Sequence, residues 1–190
     1  SIDEYLESIL NTVVLKDIVT RLKITNTLTS YGRKTDNKTV EKYLQGLKDG
    51  LLIYEVDRFD VKEKALLQRN AKYYVVDSAF RKFLLSRTDS DRGHILENIV
   101  YLELLRKGYN IKIGKLNNLE IDFVCTKTNN EKIYIQVAYL LASEDTIKRE
   151  FLPFEKINDN YPKYVISMDR FDMSRNGIKH LNIIDFLLKD

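Results

Sequence analysis

The chain has 190 residues, 44% hydrophobic and 31% charged, which is too apolar for a disordered polymer and enough for one ordinary domain or two small ones. A single cysteine, Cys125, excludes a disulfide framework and a cysteine zinc site within the chain, and the two histidines, His94 and His180, are too far apart in sequence to suggest a metal site. The net charge of +3 is small but uneven: from Arg33 to Lys48, five basic residues stand against two acidic ones, an excess suited to a polyanion or an acidic protein face.

No run approaches the ~20 apolar residues of a membrane span. The opening Ile2-Asp3-Glu4-Tyr5 is not a basic-then-apolar leader. The expected setting is a reducing cytoplasm, with no membrane partner.

Taken in chain order, Ile2, Leu6, Ile9, Leu10, Val13, Val14 and Ile18 recur at the helical period and predict a helix reaching about Leu22. Thr27–Tyr31 reads as a short connection closed by Gly32. Asp36 or Asn37 then caps a helix with Val40, Tyr43, Leu44 and Leu47 on one face, and Gly50 is expected at its left-handed end. Leu51–Val56 and Lys72–Val76 predict two antiparallel strands joined by a polar, Lys-rich connection. Helix, turn, helix and hairpin in that order describe a winged helix. On that reading Asn37, Lys38, Lys42 and Gln45 face outward, with Arg33 and Lys34 in the preceding turn, as candidate contacts to duplex DNA.

A second module starts near Asp77. Ser78–Leu85 looks helical, and Leu96, Ile99, Val100, Leu104 and Leu105 predict an apolar helix that Gly108 stops. Three strands follow, Tyr109–Lys115, Glu120–Thr126 and Lys132–Leu141, turned at Asn117-Asn118 and Asn129-Asn130. Ser143 suits the N-cap of a helix reaching about Phe151, with Pro153 interrupting it. Lys163–Met168 reads as a further strand. His94 and His180 are expected at the surface or at helix ends, and Cys125 as inert packing.

Three polar residues occupy positions where apolar ones belong. Glu97 lies on the apolar helix; Asp122 alternates against Ile121, Phe123 and Cys125; Gln136 alternates against Ile133, Ile135, Val137 and Tyr139. Each must find a partner, a cation or water. A helix Glu, a hairpin Asp and an E-x-K on the next strand resemble the skeleton of the PD-(D/E)XK nucleases. That resemblance implies acidic ligands for Mg²⁺ and a lysine that orients water, with the ion stabilising charge on phosphate. Here the strand reads Ile135-Gln136-Val137-Ala138, with a neutral side chain for the third ligand and alanine for the lysine. Lys112, on the neighbouring strand, is the candidate for a migrated amine.

The runs LENIVYLELL (Leu96–Leu105), EIDFV (Glu120–Val124), YIQVAYLLAS (Tyr134–Ser143), NYPKYVISMD (Asn160–Asp169) and GIKHLNIIDF (Gly177–Phe186) resemble the tail domain of a large group of predicted prokaryotic AAA-type ATPases. YLESILNTVVLKDI (Tyr5–Ile18) and NKTVEKY (Asn37–Tyr43) resemble the stretch joining that tail to the ATPase core. Members of the group often carry E-V-K where Gln136, Val137 and Ala138 stand. They also carry extra helical sequence around Lys23–Thr29, so either a deletion or a stretch of missing residues is expected there.

The resemblance implies an α+β chain: a winged-helix domain over residues 1–77, then a degenerate nuclease-like α/β domain over residues 78–190. No phosphate loop is present; Gly32-Arg33-Lys34-Thr35 lacks the preceding glycine and the adjacent lysine. ATP would therefore be bound only by an N-terminal module, the ATPase core, outside this sequence. The leading expectation is a non-catalytic accessory region that binds DNA or docks on that core. The alternatives are a Mg²⁺-dependent DNA nuclease using Glu97, Asp122 and Gln136 as ligands, and a purely protein–protein assembly module.

Overall fold

A computed structural model of the chain describes residues 8–9, 21–30, 32, 34–77 and 92–189. The architecture is mixed α/β, with five α-helices among the described residues. The chain divides into two compact units: the described residues up to 58 with those from 67 to 77, and residues 59–66 with 92–189.

The first unit contains α1 (Arg21–Ser30), α2 (Asn37–Asp49) and most of the hairpin β1 (Ile53–Asp60) and β2 (Ala65–Val75). The expected helix Ile2–Leu22 lies largely outside the described residues. The expected connection from Thr27 is instead the end of α1. Its hydroxyls fold back on the helix rather than competing with it: Thr29 Oγ1 donates to the Thr25 carbonyl at 2.9 Å and Ser30 Oγ to the Thr27 carbonyl at 2.7 Å. Ile24 and Leu28, one turn apart, are fully buried and pack with Val40, Leu44 and Leu47 of α2. Tertiary burial overrides a weak local propensity here.

Asp36 caps α2, its carboxylate accepting from the Thr39 N–H at 2.7 Å; that bond holds its pKa below the usual carboxylate value. Gly50 is not the left-handed residue. It has φ −76°, and Leu51 takes φ 53° instead. The Leu51 N–H donates to the Lys48 carbonyl and the Leu52 N–H to the Leu47 carbonyl, both at 2.9 Å, the pattern of a Schellman end displaced by one residue. Strands β1 and β2 are longer than the sequence suggests, and their charged residues are not confined to the surface: Asp57 is exposed, whereas Asp60 and Lys72 are buried. The connection shrinks to residues 61–64, where Asp60 Oδ1 accepts from the Lys62 and Glu63 N–H groups at 3.0 Å. Lys48 and Tyr73 converge on Glu55, at 2.5 and 3.1 Å, tying α2 to both strands.

The second unit is built on a sheet ordered β3 (Asn110–Leu116), β4 (Leu119–Thr126), β5 (Lys132–Val137), β6 (Lys163–Ser167) and β7 (Lys179–Asn182). The first two pairings are antiparallel and the last two parallel. The hairpin tip 59–66 belongs to this unit, and Val61 N–H donates to the Lys115 carbonyl of β3 at 2.9 Å. Helix α3 (Arg92–Arg106) precedes β3 and ends at Gly108, which has φ 77° as the sequence implies. Helix α4 (Glu144–Glu155) supplies the crossover from β5 to β6 that parallel pairing demands. Ser143 caps it, and it runs through the buried Pro153 rather than stopping there. Phe151 and Phe154 flank that proline in the main apolar cluster, and their burial offsets its backbone penalty of ~3 kcal/mol. A short α5 (Ile183–Leu188) closes the unit, capped by Asn182. The expected helix Ser78–Leu85 lies outside the described residues. Among the described residues, no helix is long and apolar enough to cross a membrane.

Candidate functional site

The alternation expected along β4 is broken at Asp122. Lys112 pairs with Val124 and Gly114 with Ile121, so Asp122 and Phe123 together oppose Ile113, a β-bulge. Ile121 therefore joins Val124 in the apolar cluster that includes Ile147, Phe151 and Phe154 of α4, instead of sharing a side with Phe123. Gly114 makes room for this: a β-carbon there would stand 2.8 Å from both Ile121 Cβ and Val124 Cγ2. Phe123 packs near Tyr101 of α3, the ring centroids 6.1 Å apart.

The bulge aims Asp122 at the next strand. Its Oδ2 accepts from the Val137 N–H at 2.7 Å, while its own N–H donates to Gln136 Oε1 at 3.3 Å. Gln136 Nε2 in turn donates to Glu150 Oε2 on α4 at 3.0 Å. The other Glu150 oxygen accepts from Arg149 Nε and Nη2 at 2.9 and 2.8 Å. These partners fix the amide's orientation, since a flipped Gln136 would set N–H against N–H and oxygen against carboxylate.

Asp122 and Gln136 are thus brought together, as the sequence suggested, and Glu97 is buried on α3 one turn before Tyr101. Lys112 is not brought to them. Its ammonium lies 6.0 Å from the Phe59 ring centroid and makes no ion pair among the described residues. Ala138 is buried, its N–H donating to the Ile166 carbonyl at 3.0 Å.

Glu150 was not singled out from the sequence. A signal existed: Ile147, Glu150, Phe151 and Phe154 share one helical face, so Glu150 takes an apolar position and is 6% exposed.

A Mg²⁺ ion requires several oxygen ligands in near-octahedral order. The single side-chain oxygen of Gln136 accepts from a backbone N–H, and its NH₂ group, a donor only, faces Glu150. Among the described residues, no three or more His, Cys, Asp or Glu side chains gather as a ligand set. The donors present do not fit the ion.

The sequence reading also missed a second polar cluster, at the carboxyl ends of β6 and β7. His180 is buried rather than superficial. Ser167 Oγ donates to Asp169 Oδ2 at 2.8 Å and lies 2.9 Å from His180 Nε2, while His180 Nδ1 accepts from the Met173 N–H at 3.3 Å. Since the only Ser167 hydroxyl proton goes to Asp169, Nε2 carries the histidine proton and the ring is neutral. Burial pushes the His180 pKa down, with Asp169 and Asp172 pulling the other way. Cys125 is fully buried, and burial pushes its thiol pKa up, leaving it inert.

In the first unit, Asn37, Lys38, Lys42 and Gln45 are exposed on α2, away from its buried Val40, Leu44 and Leu47, and Lys34 is exposed in the segment before the helix. Asn37 Oδ1 accepts from Thr25 Oγ1 and Gln45 Nε2 donates to Asp49 Oδ1, both at 2.7 Å. Arg33 lies outside the described residues.

Residues 92–186 match the family described as domain of unknown function DUF4143. An uncharacterized protein of Haemophilus influenzae is 38% identical over 173 residues, 90% of this chain and 42% of that protein. An uncharacterized protein of Methanocaldococcus jannaschii is 36% identical over 138 residues, 70% of this chain and 30% of its own. The chain thus spans less than half the length of either relative. No solved structure matches it. The matched region begins at α3 and ends within α5, taking in Glu97, Asp122, Gln136 and Glu150. By that match, the chain belongs to the DUF4143 family.

Proposed function

We propose that this chain is an accessory region of an AAA-type ATPase, in which a winged helix contacts DNA and a nuclease-like domain has lost the power to cleave it. The reading rests on one observation above the others. Gln136, where the resemblance calls for an acidic ligand, is a neutral amide bonded between the Asp122 N–H and Glu150. Hydrolysis of a phosphodiester on such a scaffold needs an ion to stabilise charge and an amine to orient water. Asp122 and Gln136 instead link β4, β5 and α4 into a polar staple, and alanine occupies position 138. Fold does not fix activity, so a nuclease-like frame is free to serve as a scaffold.

The winged-helix reading draws support from the order α1, α2, hairpin, and from α2 itself, which buries Val40, Leu44 and Leu47 and exposes Lys38 and Lys42. Relatives more than twice as long as the region they share with this chain leave room for an ATPase module in those proteins.

Titration of a labelled duplex across a salt series tests the DNA role. Binding should weaken with salt, and the double variant Lys38→Gln/Lys42→Gln should flatten the log–log slope by up to about 1.8, ~0.9 for each phosphate no longer neutralised. No binding at low salt would instead assign the first unit to docking on the ATPase core.

A further inference from the structure

Helix α4 ends on Glu155, at the negative pole of its own dipole, and no basic residue stands in its last turn. Within the second unit, Glu155 borders a cleft of about 650 Å³, a volume suited to a small ligand. The charged lining is Glu155, Asp159 and Lys163, two acids against one base. Lys163 is held by Asp159, through the carbonyl at 2.6 Å and Oδ1 at 3.3 Å, and Asp159 also accepts from Tyr134 at 2.6 Å. The net negative charge of the cleft therefore rests on Glu155, which is exposed. Lys132 lies 5.1 Å from the Tyr161 ring centroid, but neither it nor Lys156, which follows the helix, belongs to the lining.

A tight turn presents Asn176 to the same cleft. Asn176 has φ 53° and Gly177 φ 77°, and Arg175 and Ile178 exchange backbone hydrogen bonds across them at 3.0 and 2.8 Å, the pattern of a type I′ hairpin turn. Asn176 Nδ2 donates to Glu155 Oε1 at 3.4 Å, which turns the amide oxygen away from the carboxylate. Among the described residues that oxygen, Glu155 Oε2 and the Asn160 side chain have no partner. Phe154, Ile157 and Ile178 bring the main apolar cluster to the lining, and Tyr161, 44% exposed, adds an aromatic ring. Surplus acceptors, net negative charge and apolar surface together complement a cation that carries N–H donors on a hydrocarbon stem.

We propose that this cleft binds an organic cation, an ammonium or guanidinium on a short apolar stem. Glu155 is its counter-ion, the Asn176 and Asn160 amide oxygens are further acceptors, and Tyr161 packs against the stem. An ammonium brings three donors and a guanidinium five, in a fork that matches a carboxylate. This goes beyond the winged-helix contact to duplex DNA and is independent of it, since the cleft lies in the other unit and its charge repels phosphate. A free alkylguanidine and the arginine side chain of a peptide share this chemistry.

Titration of the whole chain with butylguanidinium, N-acetyl-arginine methylamide, butanol and butyrate, read by amide NMR shifts at about 0.15 M salt, tests it. Butylguanidinium or the arginine derivative should bind and shift the amides of Tyr161, Asn176 and Gly177. Butanol and butyrate should bind at least about tenfold more weakly, as expected for loss of a charge-assisted contact. Glu155→Gln should weaken cation binding several-fold. Asn176→Asp, which keeps a residue suited to the turn, should tighten it by adding a second carboxylate. Glu144→Gln, at the other end of α4, should leave it unchanged. Glu155 and Asn176 are exposed, so their variants keep the core intact. Binding by butylguanidinium alone assigns the cleft to free cations and by the arginine derivative alone to peptides, each in support. Failure of both to bind, shifts confined to residues outside the cleft, binding indifferent to Glu155→Gln and Asn176→Asp, or butyrate binding as tightly as the cations would overturn the proposal.

Discussion

Gln136 Nε2 donates to Glu150 Oε2 at 3.0 Å, joining the central strand β5 to helix α4. An amide thus occupies the position that the nuclease resemblance assigns to a carboxylate, and it satisfies a buried acid without a metal.

Gln136→Glu would bring two carboxylates together and remove the bond between them. It should lower stability by about 1–3 kcal/mol, the cost of an unsatisfied buried partner. Thermal melting checks this. The melting temperature should fall at neutral pH and recover partly on adding Mg²⁺ or Mn²⁺, while the wild type responds to neither ion. An unchanged melting temperature would mean the amide bond contributes nothing.

Gly114→Ala should destabilise the second unit by about 1–3 kcal/mol through overpacking. The added carbon meets branched side chains on both sides of the bulge, Ile121 and Val124, at 2.8 Å. Urea denaturation gives the value directly. A neutral result would show that the bulge relaxes freely, and that the aim of Asp122 is not built into the sheet.

Stability should also fall as pH drops below about 6.5, the ordinary value for histidine. The folded pKa of His180 is depressed by burial, so the unfolded chain binds the proton more readily. The stabilisation is complete above the unfolded value and is lost as pH falls towards the folded one. A proton on Nδ1 would confront the Met173 N–H that now donates there. Urea midpoints at about pH 7.5 and 5.5 should differ for the wild type and converge for His180→Gln, with carboxylates still ionised over that range. Equal slopes in the two proteins would remove His180 from the account.

Much of this arrangement is legible in the sequence where one residue breaks a strong local pattern. Asp122 and Gln136 stand out because their neighbours are apolar, and the capping by Asp36 and Ser143 follows from residue type alone. Glu150 is hidden because α4 is rich in acids, and only its alignment with Ile147, Phe151 and Phe154 marks it. The bulge is hidden because a period of two carries no record of an inserted residue; the glycine at 114, mid-strand, is its one trace. The Ser167–His180 bond joins residues 13 positions apart on parallel strands, a pairing that local periodicity does not encode. Leu51 rather than Gly50 takes the left-handed conformation because α2 runs to Asp49, and composition does not specify where a helix ends to within a residue.

Cleavage of supercoiled plasmid by the purified chain, with Mg²⁺ and separately with Mn²⁺, tests the central claim most directly. Wild type and Asp122→Ala should be equally inactive, with no nicking above a protein-free control. Metal-dependent cleavage by the wild type that Asp122→Ala abolishes would contradict the account and return the domain to the working nucleases.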